Sequence, residues 1–169
     1  MRPLPARDLL EAAAVCRNSP GPARGVYLAA LALADHSFTD CATLPLGTRD
    51  AAIVGLRRAM FGDRLELSAR CPRCDAPLDV AMEAAALLAL SPAAATLPDV
   101  EIAGTRFAVR PADSADLAAI ADIPSVEQAR EDLALRCLIP RDGADVPASL
   151  APGEIDAVGA AMAEIDPAG

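Results

Sequence analysis

Two stretches of the chain alternate apolar and polar residues with a period of two, which is typical of half-buried β-strands. In the first stretch, residues 63–82, the apolar positions lie on both sides of a central turn: Leu65, Leu67, Ala69, Leu78, Val80 and Met82. In the second stretch, residues 99–110, the apolar positions are Val100, Ile102, Phe107 and Val109, with an Ala103-Gly104 turn between the two pairs. The alternation therefore predicts two short antiparallel hairpins, each with one face buried against the rest of the protein.

Most of the remaining chain spaces its apolar residues three and four positions apart, which predicts about six helices. The predicted helical stretches are 7–16, 23–34, 49–60, 83–90, 113–138 with an interruption at Pro124, and 152–165. Candidate N-caps are Thr48, Asp113 or Ser114, and Ser125 in a capping box with Gln128. A loop holding His36, Phe38 and Cys41 precedes the third helix, and Gly62 is expected to end that helix in a left-handed turn. Ser91-Pro92 ends the fourth helix, 93–98 is a connector, and 141–143 is a turn.

These elements predict an α+β fold dominated by helix, with two short β-hairpins packed against about six helices. We expect a single domain over residues 1–169, because the chain is long enough for one hydrophobic core. Its predicted sub-regions are N-terminal helices at 1–62, a CxxC hairpin at 63–82, a second hairpin at 99–110 and C-terminal helices at 113–166. Apolar residues make up 53% of the sequence but aromatic residues only 2%, so we expect an aliphatic core.

The composition also limits which cellular compartments and which classes of partner we expect. The formal net charge of −9 disfavours nucleic-acid binding, because nucleic-acid-binding proteins usually present a basic surface to the phosphates. No apolar run is long enough to span a bilayer and the N-terminus lacks a signal-peptide core, so we expect a soluble cytoplasmic protein without membrane contact. Five cysteines, an odd number, favour free thiols in a reducing compartment. Cys16 and Cys137 lie on apolar helix faces, where buried thiols are expected.

The turn of the first hairpin, Cys71-Pro72-Arg73-Cys74, has the spacing of one half of a structural zinc site. Two thiolates supply two of the four ligands that zinc requires, so Cys71 and Cys74 predict an incomplete site. The missing ligands would come from Cys41 and His36, or from a second chain with its own cysteine pair. The alternatives are a redox-inert turn and a thioredoxin-like redox pair, and the missing helix after the motif disfavours the latter.

A group of arginines surrounds this motif in an otherwise acidic protein: Arg57, Arg58, Arg64, Arg70 and Arg73. These arginines either offset the negative charge of the protein surface or form a docking patch for an acidic partner. An enzymatic function has no positive support, because His36 is the only histidine and no serine or cysteine stands in a recognisable nucleophile motif with it. Phosphate-loop and metalloprotease motifs are likewise missing from the sequence. We therefore predict a protein that is not an enzyme.

An ordered set of short segments resembles the baseplate hub assembly proteins of contractile phage tails of the T-even type and of phage-tail-like particles. The segments are Leu-Pro-Leu-Gly-Thr-Arg-Asp at 44–50, Leu-Arg at 56–57, Phe-Gly-Asp-Arg-Leu-Glu at 61–66, Cys-Pro-Arg-Cys at 71–74, the strand pair ending in Phe107, and Ser-Ala-Asp-Leu at 114–117. The resemblance implies a non-enzymatic assembly factor or minor component of the baseplate hub, with baseplate or tail hub proteins as partners.

Relatives of this type often continue into a second Cys-Pro-x-Cys, so the resemblance implies a shortened chain that lacks the other half of a zinc site. Relatives usually have glycine after the second cysteine, where this sequence has Asp75. The alternative function is a zinc-ribbon-like module that binds nucleic acid or the transcription machinery. The CxxC motif and its arginines favour that alternative, whereas the net charge and the missing second cysteine pair oppose it.

Overall fold

The computed structural model describes residues 3–90, 96–141 and 143–169. Over these residues the chain is α+β and dominated by helix, as predicted, with eight helices and five strands. The elements are α1 (Ala6–Asn18), α2 (Gly21–Ala32), α3 (Phe38–Ala42), α4 (Leu46–Phe61), β1 (Arg64–Arg70), β2 (Pro77–Glu83), α5 (Ala84–Leu88), β3 (Asp99–Ile102), β4 (Thr105–Val109), α6 (Ser114–Ile120), α7 (Val126–Cys137), β5 (Leu138–Pro140) and α8 (Pro152–Ile165).

The strands form two separate antiparallel sheets. Strands β1 and β2 pair only with each other, in a register that places Leu67 opposite Val80. Strands β3, β4 and β5 form a three-stranded sheet in that order. Strand β5 was not predicted, because the three residues after α7 read as the end of a helix rather than as a strand. The second predicted hairpin is therefore the major part of a larger sheet.

The main hydrophobic core lies between the three-stranded sheet and helices α7 and α8. Phe107 and Val109 of β4 are buried and pack with Val158 of α8 and Leu138 of β5. A smaller cluster of Leu46, Ala112 and Cys137 lies beside it. Helix α2 packs against both α4 and α6, so the N-terminal helices contact the C-terminal ones. The predicted aliphatic core is present, with Phe107 as its one fully buried aromatic side chain among the described residues.

Several local predictions about helix ends are confirmed. Gly62 follows α4 with φ +86°, a conformation that glycine adopts without steric cost. Asp113 caps α6 by accepting hydrogen bonds from the backbone N–H groups of Ala115 and Asp116. Ser125 caps α7 by accepting a hydrogen bond from the backbone N–H of Gln128, and the reciprocal bond of the predicted capping box is not found among the described residues. The Ala103-Gly104 turn joins β3 to β4 as expected.

Other local predictions are wrong. Thr48 does not cap the third predicted helix, since α4 already begins at Leu46 after Pro45, and Thr48 lies in its first turn. The loop predicted around Phe38 and Cys41 contains the short helix α3, because Ser37 and Asp40 form a capping box that satisfies its first N–H groups. Ser91-Pro92, part of the 93–98 connector and Asp142 of the predicted turn lie outside the described residues.

Candidate functional site

The hairpin of β1 and β2 extends away from the helices as an arm. Each strand has seven residues, so the arm is about 23 Å long at about 3.3 Å per residue. It is joined to the body at its base, where the N–H of Ala84 donates to the carbonyl of Asp63 at 2.7 Å. Its main contact with another element is with α5, which follows it directly. Both faces of the arm are therefore open to solvent over most of its length.

One face of the arm is apolar and exposed. The strand register places three aliphatic pairs on this face: Leu65 with Met82, Leu67 with Val80, and Ala69 with Leu78. Leu67, Leu78 and Val80 are 44%, 42% and 47% exposed. The sequence predicted that this face would be buried, and for this chain alone that prediction is wrong. We call these six residues the apolar face of the arm.

The opposite face is polar. Arg64, Glu66, Ser68, Asp79 and Arg70 lie on it, and Ser68 Oγ donates to Asp79 Oδ1 across the strands at 3.2 Å. Arg64 pairs with Glu66 at 3.2 Å. We call this surface the polar face of the arm.

The cysteine turn at the tip of the arm is closed by two backbone hydrogen bonds. The N–H of Cys71 donates to the carbonyl of Ala76 at 2.9 Å, and the N–H of Asp75 donates to the carbonyl of Cys71 at 2.8 Å. Asp75 has φ +56°, a left-handed conformation that Asp tolerates better than most residues. Asp75 is thus compatible with the turn.

The pKa of the Cys71 thiol lies below its ordinary value, and the largest cause is the backbone N–H of Arg73, followed by the backbone N–H and the side chain of Cys74. Cys74 is exposed and Cys71 is partly exposed. A lowered pKa favours the thiolate, which is the form of cysteine that binds metal.

The residues expected to complete the zinc site are not part of this turn. Among the described residues, no group of three or more His, Cys, Asp and Glu side chains is arranged to hold a metal ion. Cys41 is fully buried at the end of α3, where burial raises the pKa of its thiol. Cys41 and His36 are not grouped with the cysteine turn among the described residues, and their part in a zinc site stays a prediction. Cys71 and Cys74 lie between β1 and β2, at the tip of the arm.

Most of the arginines around the arm already have partners. Arg58 pairs with Asp63 at 2.9 Å, and Arg70 pairs with Asp75 at 2.9 Å. Arg57 donates to the carbonyl of Gly62 at the base of the arm. Arg73, at the tip, has no ion pair within the described ranges. Because exposed pairs contribute only about 0 to 1 kcal/mol, these arginines can exchange their partners for the carboxylates of another protein.

The other two cysteines lie in the body. Cys137 is fully buried at the end of α7, and desolvation raises the pKa of its thiol to about 12. The prediction of a buried thiol is confirmed at Cys137. Cys16, on α1, is only partly buried.

The segment 44–50, which carries much of the family resemblance, lies at a buried junction instead of on the arm. The N–H of Leu46 donates to the carbonyl of Ala112 at 3.0 Å, and the N–H of Gly47 donates to Asp166 Oδ2 at 2.8 Å. Asp166 thereby caps α4 from 119 positions along the chain. A Cβ atom at position 47 would overlap Asp166, so only glycine fits there. Sequence reasoning missed Asp166, since nothing local marks so distant a cap.

Arg49 and Ser114 connect the same junction to α6. Arg49 is 9% exposed, and its Nη1 donates to Ser114 Oγ at 2.9 Å while its Nε donates to Asp50 Oδ1 at 2.7 Å. Two of the resembling segments, 44–50 and 114–117, therefore meet in space. Their polar residues hold α4, α6 and the end of α8 together.

An apolar groove of about 370 Å³ lies next to this junction, between α6, α7 and α8. Its wall includes Leu117, Leu133, Ile155 and Met162. At one edge is Asp166, whose Oδ1 is buried without a hydrogen-bond partner in the described part of the chain. Among the described residues that line the groove, the charged side chains are Arg130 and Asp166.

Comparison of the chain with protein-family models, with curated proteins and with solved structures gives no match. In the described ranges, no helix combines the length and apolar character needed to cross a membrane.

Proposed function

We propose that the protein is a non-enzymatic assembly factor or minor component of the baseplate hub of a contractile phage-tail-like particle. It acts through protein–protein contacts in the cytoplasm of the bacterial host. The ordered set of resembling segments supports the particular family. The observation that carries the interaction role is the arm, which extends from the helices with both faces open to solvent.

The polar face of the arm, with the arginines at its base and tip, is the surface we assign to the hub partner. Arg57, Arg58, Arg64, Arg70 and Arg73 lie from the base of the arm to its tip. An acidic partner can take over their exposed ion pairs at little cost, and Arg57 and Arg73 hold no carboxylate within the described residues. Charged surfaces of this kind mainly increase association rates and give selectivity.

The test is co-purification of the tagged full chain with hub and tail proteins produced in the same cell. Arg57→Glu/Arg73→Glu should reduce recovery of a hub protein about tenfold or more, and raised salt should weaken the wild-type interaction. Arg24→Glu is the matched control, because Arg24 is an exposed arginine on α2, outside the arm. Equal loss with Arg24→Glu would mean that net charge, and not the arm, controls binding.

The cysteine turn also favours a second candidate, a zinc-ribbon-like module that binds nucleic acid or the transcription machinery. The same purification distinguishes the two functions. Recovery of nucleic acid with a steep salt dependence, and of no hub or tail protein, would replace the assembly function by this one.

A further inference from the structure

Among the described residues, no further His, Cys, Asp or Glu side chains are grouped with Cys71 and Cys74 to form a metal site, so a second chain is a natural source of two more ligands. Cys71 and Cys74 lie at the tip of an arm about 23 Å long, which keeps them away from the helices. A zinc site with two protein ligands is weak in water, whereas a closed site with four thiolates is strong enough to drive folding or assembly. The donor groups at the tip therefore suit a zinc ion that is shared between two molecules.

The half-site and the apolar face of the arm lie on the same side. The strand register continues one step beyond β1, since the N–H of Cys71 donates to the carbonyl of Ala76. Cys71 thus follows Leu65, Leu67 and Ala69 in the alternation and belongs to their face. A partner that supplies two more zinc ligands on the apolar face of the arm would therefore also cover the exposed aliphatic side chains of that face.

A two-stranded hairpin with one exposed apolar face is marginally stable by itself in water. It gains stability when a second sheet packs on that face. A second copy of this chain brings an identical apolar face and, at the matching end, the two thiolates that the first copy lacks. The two requirements, apolar cover and two more sulfur ligands, are met by the same partner.

Electrostatics permits this pairing despite the net charge of −9 on the whole chain. From Arg64 to Glu83 the arm carries three arginines and four carboxylates, so it is nearly neutral. Its charged side chains lie on the polar face or at the tip, and several are already paired within the arm. Two arms can therefore approach through their apolar faces without strong repulsion, and Arg73 at each tip offsets the negative charge of a tetrathiolate site.

We propose that two copies of the chain pack their arms face to face and share one zinc ion, held by Cys71 and Cys74 of each copy. The pairing is two-fold symmetric, so the zinc ion lies on the axis and each copy contributes the same surface. The polar faces remain outside, where they are free for another partner. The inference does not depend on the proposed function and is tested on the purified chain alone.

The experiment measures mass and metal together on the full chain in the presence of a phosphine reductant. With zinc, native mass spectrometry and light scattering should show a dimer, and elemental analysis should show one zinc ion per two chains. A chelator should return the monomer. Cobalt in place of zinc should give the charge-transfer and ligand-field bands of a tetrahedral tetrathiolate. Cys71→Ser/Cys74→Ser should lose both metal and dimer, and Cys16→Ser, a change at a half-buried thiol on α1, should lose neither.

A second variant tests the apolar face separately from the ligands. Leu67→Ser should raise the dimer dissociation constant in zinc about tenfold or more, since the change occurs twice in a symmetric interface. Leu10→Ser, at a 74% exposed leucine on α1, should leave it unchanged. Thermal unfolding in chelator identifies any variant that fails to fold, because correctly folded variants should match the wild type there.

Three results would overturn the inference. One is a zinc ion held by a monomer, which would mean that the chain completes the site by itself. Another is a dimer that persists in chelator, which would remove the metal from the interface. The third is zinc content equal in the wild type and the double cysteine variant.

Discussion

The chain contains two β-hairpins with almost the same alternation of residues and opposite environments. In the β3–β4 hairpin, Ile102, Phe107 and Val109 are 3%, 2% and 0% exposed. In the β1–β2 arm, the equivalent aliphatic positions are more than 40% exposed at Leu67, Leu78 and Val80. The difference lies in what the rest of the chain supplies: β5 pairs with β4, and α8 covers β3 and β4, whereas the arm receives neither.

Period-two alternation predicts an amphipathic strand pair, but it does not predict which surface covers the apolar face of that pair. For β3 and β4 the cover is part of the same chain. For the arm, the cover that we propose is a second copy of the chain, because exposed apolar faces are typical of interaction sites. The buried hairpin thus supports the fold, and the exposed one is where we place function.

The largest effect is expected in the buried hairpin. Phe107→Ala should lower the free energy of unfolding by about 3 to 5 kcal/mol, because it removes a large side chain from the main core and leaves a cavity. Phe61→Ala is the matched control, with the same truncation at a 68% exposed phenylalanine at the end of α4, and should cost about 0.5 kcal/mol or less. Urea denaturation measures both. Similar losses in the two variants would contradict the burial contrast.

A second effect concerns the polar anchor at the end of β4. Arg110 donates two hydrogen bonds to the Asp116 carboxylate, at 2.7 and 3.0 Å, and one to the carbonyl of Arg136. Burial by itself raises the pKa of Asp116, but the Arg110 hydrogen bonds, the Asp113 backbone N–H and the Arg110 charge outweigh it and lower that pKa below its ordinary value. The ionised form of Asp116 is therefore favoured over the protonated form more strongly in the folded chain than in the unfolded chain.

We therefore expect Asp116→Asn to cost about 1.5 to 3 kcal/mol at neutral pH. Since the folded pKa of Asp116 lies below the unfolded value of about 3.9, its contribution is fully present above about pH 4 and is lost as pH falls through the folded pKa. Wild type and Asp116→Asn should therefore converge in acid. Glu66→Gln, at an exposed ion pair of the arm, should change unfolding little at neutral pH. A wild-type advantage that persists in acid would contradict this assignment.

The junction beside the buried sheet gives a third prediction. Gly47→Ala should destabilise the protein by about 1 to 3 kcal/mol, because the added methyl group would overlap Asp166 at the cap of α4. Gly159→Ala, in the interior of α8 where a methyl group meets no atom within 4 Å, should stabilise it by about 0.5 to 1 kcal/mol. Thermal unfolding of the two variants provides the measurement. A neutral Gly47→Ala would mean that α4 does not need this close approach.

Local chemistry made much of the fold predictable. The two strand pairs, the positive φ at Gly62, the Asp113 cap and the start of α8 at Pro152 each depend on residues close together in the sequence. Strand β5 was missed because it is three residues long and pairs with β4 about 30 positions away, so no local pattern marks it. The Asp166 cap was missed for the same reason at a longer separation.

The sequence was sufficient to identify the cysteines and arginines of the candidate site, but it was not sufficient to predict which residues surround them. The alternation on either side of Cys71 and Cys74 was sufficient to place both residues in the turn of a hairpin. That Cys41 is buried elsewhere, and that the apolar side of the arm is uncovered, depends on how helices pack far from the motif. The arginines were recognisable as a group, yet their pairing with Asp63, Glu66 and Asp75 depends on side-chain geometry that spacing does not specify.

The smallest effect on stability, and the one that isolates the arm, is expected for Leu67→Ala in chelator. Leu67 is 44% exposed and faces Val80 across the arm without support from the body. Its truncation should therefore lower the free energy of unfolding, measured in urea, by about 0.5 kcal/mol or less. Amide hydrogen exchange should nevertheless be faster at β1 and β2 than at β4, since a hairpin without cover opens locally. A loss comparable with that of Phe107→Ala would show that the arm packs on the body after all. Its apolar face would then be part of the core rather than a surface for another chain.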